Sequence, residues 1–84
     1  GWQRPWTVTS LGATVLEMCH AHRADAYWPF DYSASQTLAL ADDALVMRIA
    51  LANTGAAAMP AGIGIHPFFP ATPRAALTAS VANV

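Results

Sequence analysis

His66 is the side chain around which proton-transfer chemistry is most readily drawn. It sits in an uncharged run, Met59-Pro60-Ala61-Gly62-Ile63-Gly64-Ile65-His66-Pro67-Phe68-Phe69-Pro70. An imidazole with an ordinary pKa gives or takes a proton near neutrality, so a histidine on a rigid strand end is a candidate general acid. Gly62 and Gly64 stand two apart. In an extended segment both fall on one face, leaving room there for a ligand or another backbone. His66 shares that stripped face, while Ile63 and Ile65 pack on the other. Pro67 and Pro70 bracket Phe68-Phe69 and hold the segment out of a helix. A plainer role fits the same residues: a histidine that only hydrogen-bonds a strand end.

His20 and His22 are also two apart, so on a strand they face the same way and could hold a metal. Cupin-type metalloenzymes add a glutamate five residues beyond such a pair, and here that position is Tyr27. The surroundings are polar, so solvated loop histidines are the better account, and no metal site is expected. Asp42 and Asp43 suit a turn, and Asp31 suits the polar face of its strand. None of the five carboxylates pairs with His66 in sequence. Cys19 has no motif around it and reads as a small buried hydrophobe. No phosphate loop, dinucleotide fingerprint or nucleophile elbow is present.

The aromatic set, Trp2, Trp6, Tyr27, Trp28, Phe68 and Phe69, could stack on the C–H face of a pyranose or anchor a core. Core anchoring is favoured for Trp6 and Phe69. For Trp2 and Phe68 the two roles stand level.

The His66 run, together with Asn53-Thr54-Gly55 before it, resembles the central signature of the aldose 1-epimerase (galactose mutarotase-like) family. Gly1-Trp2-Gln3-Arg4-Pro5-Trp6 is similar to the segment just after that family's upstream His-Gly pair. Trp28-Pro29-Phe30 is similar to its Trp-Pro-aromatic opening of a long hairpin. The likeness spans nearly the whole chain, with the His66 run its specific part. It implies an antiparallel β-sandwich of the galactose mutarotase-like supersandwich type, of which residues 1–84 are a single partial domain. It also implies an isomerase that interconverts the α and β anomers of an aldose. His66 is then the general acid, and the general base, a glutamate, and a second histidine lie outside this chain. Arg4, Trp2 and Phe68 become substrate-binding candidates on a monosaccharide, with no cofactor required. The alternative is a non-catalytic carbohydrate-binding or interaction β-sandwich on the same scaffold.

Such a site needs strands to position it, and the chain is patterned for them. Alternation over residues 2–9 predicts a first strand, made irregular or confined to an edge by Pro5. A turn comes next at Ser10-Leu11-Gly12, then a second strand over residues 13–20 and a polar connection over 21–26. Phe30, Tyr32, Ala34, Leu38 and Leu40 share one parity, answered by Leu45, Met47, Ile49 and Leu51. That pairing predicts a long antiparallel hairpin of residues 26–40 and 45–53, turning at Asp42-Asp43 and burying a large face. A turn over residues 54–58, the His66 strand and a further strand from Leu77 complete the expectation of an all-β protein.

Composition sets the limits. Of 84 residues, 55% are hydrophobic and 11% charged, so a domain of this size has more apolar side chain than it can hide. Exposed apolar surface, covered by the remainder of a domain or by self-association, is expected. A net charge of −1, with four arginines and no lysine, excludes a nucleic-acid or anionic-membrane footprint. A single cysteine excludes an internal disulfide and points to a reducing, cytoplasmic setting. The uncharged stretch after Arg48 is broken by Asn53, Gly55, Pro60, Gly62 and Gly64, which excludes a spanning helix.

Overall fold

The period-two patterning between residues 7 and 53 folds as one four-stranded antiparallel sheet in the computed structural model, which describes residues 4–82. Strands β1 (Thr7–Leu11), β2 (Val15–His22), β3 (Tyr32–Leu40) and β4 (Leu45–Asn53) lie side by side in chain order. The expected all-β, antiparallel class is what the chain adopts. The strands make a single open sheet, and the described residues contain no second layer. No helix among them is long and apolar enough to cross a membrane.

The β3–β4 hairpin follows its side-chain parity. Leu40 faces Leu45, Leu38 faces Met47, Gln36 faces Ile49 and Ala34 faces Leu51. Ala41 N–H donates to Ala44 O at 2.8 Å, which puts Asp42 and Asp43 at the tip as expected. The first arm is shorter than expected and begins at Tyr32. The cause is local: Pro29 offers no donor, and Asp31 is committed elsewhere. Its carboxylate accepts from Ala24 N–H at 2.6 Å and its carbonyl from Thr54 N–H at 3.2 Å.

The first two strands are displaced from their expected bounds. β1 starts only after Pro5 and runs through Leu11, so the turn begins at Gly12, whose N–H donates to Val15 O at 2.8 Å. The register of β1 on β2 slips at Thr9, between Val8 and Ser10, and the Thr9 hydroxyl donates to Glu17 O at 3.2 Å. A bulge of this kind twists an exposed edge away from further pairing. β2 extends to His22, two residues further than its pattern suggested.

Directly paired residues share a face, so the ladder sorts the side chains. Leu16, Leu38 and Met47 form one row of the first face, with Met18, Gln36 and Ile49 beside them. The other face carries Glu17, Thr37 and Arg48, then Cys19, Ser35 and Ala50. The first face is not the buried core its composition promises. Among the described residues only His22, 7% exposed, and Tyr32, 9%, are buried. The chain presents 7311 Å² to solvent. A compact protein of its mass would present about 4,800 Å².

Residues 54–82 form neither strand nor helix, which corrects the expected strands around His66 and from Leu77. Four prolines, at positions 60, 67, 70 and 73, remove ladder donors within this stretch, and its glycines weaken any strand. A turn at its start does form: Asn53 accepts from Gly55 N–H at 3.0 Å and donates to Ala57 O at 2.8 Å.

Candidate functional site

Residues 59–66 border, with the apolar face of the sheet, a half-open cavity of about 1170 Å³. Met47, Ile49 and Leu51 of β4 form its floor, and Trp6, Tyr27, Trp28 and Tyr32 give it aromatic walls. Arg4, His22 and His66 are its ionisable groups besides the tyrosines, and no carboxylate is among its described lining residues. Aromatic faces with a few convergent polar groups suit a small polar ring that carries apolar C–H faces.

His66 reaches this cavity from irregular backbone, not from a strand end. Without a pleat, Ile63 and Ile65 do not turn away from the glycines. All of them line the same space, with both isoleucines half exposed. A Cβ added at Gly62 or Gly64 would meet nothing within 4 Å, so the room expected beside His66 is present. The His66 ring stacks on Phe68, with centroids 4.6 Å apart and planes at 29°.

The connection between β2 and β3 is ordered by Asp25. Its Oδ1 accepts from the backbone N–H of Tyr27 at 3.0 Å and of Trp28 at 2.8 Å, and its Oδ2 accepts from Arg4 at 2.8 Å. Asp25 N–H closes the turn by donating to Trp28 O at 3.0 Å. The Trp28 amide, then the Tyr27 amide, with help from His22 and Arg4, hold the Asp25 carboxyl below its usual pKa against a smaller opposing effect of burial. This turn is what carries Tyr27 and Trp28 to the cavity wall.

His20 and His22 are not solvated loop residues; both lie on β2. Their side chains point to the first face of the sheet, where Tyr32 receives them. The rings of His22 and Tyr32 stack at 5.1 Å, and His20 meets Tyr32 at 5.7 Å and Trp6 at 5.6 Å. His22 Nε2 lies 3.0 Å from Trp28 O, and a carbonyl only accepts, so this nitrogen carries the proton. His20 Nε2 is buried without a hydrogen-bond partner among the described residues. Burial, reinforced by nearby positive charge including His22 and Arg4, lowers the His20 pKa, and a hydrogen bond to the Pro5 backbone opposes the shift. Among the described residues no three histidine, cysteine or acidic side chains converge as a metal site would require.

Of the residues singled out from sequence, His66 and Arg4 come to one cavity. Phe68 does not line it and reaches it only through His66, its own ring being 80% exposed. Trp2 lies outside the described residues. Trp6 is a cavity wall, and Phe69, expected as a core anchor, is exposed. Sequence reading did not assign Asp25 its part in the turn, although an aspartate followed by a short turn carries a recognisable signal for capping backbone amides.

The family model for aldose 1-epimerase matches residues 1–81. The chain is also 32% identical over 83 residues to the uncharacterized protein YphB of Escherichia coli strain K12. That similarity covers 99% of this chain and 28% of the relative. No solved structure shows a significant match. The chain belongs to the aldose 1-epimerase family.

Proposed function

We propose, with that membership as the premise, that the complete protein interconverts the α and β anomers of an aldose, and that His66 is its general acid. The observation that carries this is the meeting of His66 with an aromatic-walled, glycine-opened cavity on the sheet. Anomer exchange requires two proton transfers. A base takes the proton of the anomeric hydroxyl as an acid protonates the ring oxygen, and the C1–O5 bond opens to an aldehyde. Rotation about C1–C2 and closure on the other face give the second anomer.

His66 is suited to the acid step because a histidine side chain is the commonest proton donor in such transfers. Its ring stacks on Phe68, a contact that favours one ring orientation. Trp6 and Trp28 offer faces for the apolar side of the sugar, and Arg4 offers donors for its hydroxyls. Trp2 is kept as a proposed substrate contact, and Phe68 serves the site through its stack on His66. The family resemblance implies a glutamate outside this chain as the base, and the described lining offers no carboxylate in its place. The reaction moves protons and no electrons, so its chemistry calls for no redox cofactor. The test is polarimetry of freshly dissolved α-D-galactose with the full-length protein. Equilibration no faster than in buffer would overturn the proposal and favour a binding module.

A further inference from the structure

We infer that Asp25 is a specificity-determining residue: by engaging Arg4, it keeps the cavity selective for uncharged sugars over phosphorylated ones. The inference rests on the sugar-site proposal and names the substrate class of that same cavity. Arg4 is the one arginine among the described lining residues, and no lysine is present in the chain. An unpaired guanidinium at the wall of a half-enclosed aromatic cavity is a strong receptor for a phosphate ester, because its planar fork matches the phosphate oxygens. Here that guanidinium is already engaged, with its terminal nitrogen 2.8 Å from Asp25 Oδ2.

An exposed ion pair is usually weak because two flexible side chains must be held together. This pair differs in one respect. The Asp25 carboxylate is fixed beforehand by the Tyr27 and Trp28 amides, at 3.0 and 2.8 Å, so its ordering does not depend on Arg4. The negative charge therefore stands at a set place beside the guanidinium and opposes any second anion that approaches it. Neutral hydroxyls meet no such opposition, and the remaining N–H groups of Arg4 stay able to donate to them.

The two carboxylate oxygens have separate tasks, which makes the inference testable. Asp25→Asn, with its carbonyl oxygen at Oδ1, still accepts from both amides but loses the charge and the acceptor that face Arg4. In the full-length protein, calorimetric binding of D-galactose 6-phosphate and of D-galactose is measured for the wild type, Asp25→Asn, and Asp25→Asn with Arg4→Gln. Affinity for the phosphorylated sugar is expected to rise about tenfold in Asp25→Asn, the scale of one charge-assisted hydrogen bond. It should exceed any change in galactose affinity and vanish in the double variant. A purely structural role for Asp25 would weaken both ligands together. Equal changes for the two sugars, or a gain that survives Arg4→Gln, overturns the inference. The binding measurements do not depend on turnover. A protein that selects galactose in this way yet fails to equilibrate it supports the role of Asp25 and overturns only the proposed reaction.

Discussion

The imidazole of His22 stacks on the phenol of Tyr32 across the β2–β3 ladder, centroids 5.1 Å apart and planes at 26°. These two are the buried residues of the described chain, and His22 also donates to the carbonyl of Trp28. His22 thereby joins the sheet to the loop that walls the cavity. His22→Ala removes the stack and one of the two donors to the Trp28 carbonyl, at an expected loss of about 1–3 kcal/mol. His22→Phe keeps the stack and loses only the bond, so its stability should fall between those of the wild type and His22→Ala. Denaturant unfolding of the full-length protein measures both.

His20 gives the fold a dependence on pH. Its pKa is lowered in the folded state, so the unfolded chain binds the proton more readily. The neutral ring's contribution is whole above the unfolded value of about 6.5. It is lost as pH falls from there toward the lowered folded value. Protonation would also place a second N–H where His20 Nε2 has no acceptor among the described residues. Denaturation midpoints measured between neutral and acidic pH should decline, and His20→Phe should flatten that part of the decline. An NMR titration placing the His20 pKa above about 6.5 would contradict the assignment.

Asp25 adds a second acid-sensitive element at lower pH. A lowered carboxyl pKa means that its ordering of the loop is present above the ordinary carboxylate range and lost as pH falls through the lowered value. Asp25→Ala is expected to speed hydrogen exchange at the Tyr27 and Trp28 amides well above that pH. Asp25→Asn should retain much of their protection. Equal exchange in wild type and Asp25→Ala would show that the loop is ordered by other contacts.

The hairpin was legible because Leu45, Met47, Ile49 and Leu51 alternate without interruption, and a one-residue slip would turn every one of them over. His66 stood out through its glycines, its prolines and the family resemblance of its run, and it does line the cavity. Two features were not legible. His20 and His22 looked like loop residues because arginine and aspartate come soon after them, yet Tyr32 pairs directly with His22 and draws it into the sheet. The strand expected at His66 required a partner ladder, and alternation within a segment cannot reveal whether one exists. Burial failed for a related reason: Leu45 and Met47 mark the correct face, but both stay exposed at the hairpin end of it.

That open face bears on the 84 residues in isolation. Leu40, Leu45, Val46 and Met47 are all exposed around the β3–β4 turn, as are Val8 and Leu11 at the opposite edge. Surface of this kind is expected to self-associate at micromolar concentration. Sedimentation velocity on the isolated segment should show oligomers, and Leu45→Lys with Met47→Lys should shift them toward monomer. The same segment is expected to be inactive in polarimetry, since the proposed base is not among its residues.

The sharpest expectation concerns His66 in the full-length protein. His66→Asn keeps a polar group of similar reach on irregular backbone, so stability should change by less than about 0.5 kcal/mol. Turnover of α-D-galactose should nevertheless fall by about 10²–10⁴-fold, the contribution of a positioned acid. His66 and His22 line one cavity, so the assignment must separate them. His22→Phe should cost turnover only in proportion to the folded protein lost, because its proton is committed to the Trp28 carbonyl. Chelators should leave turnover unchanged, since the proposed steps are proton transfers alone. A His22→Phe defect as deep as that of His66→Asn, in fully folded protein, would move the acid to His22. Loss of activity on chelation would replace the acid–base mechanism with a metal-assisted one.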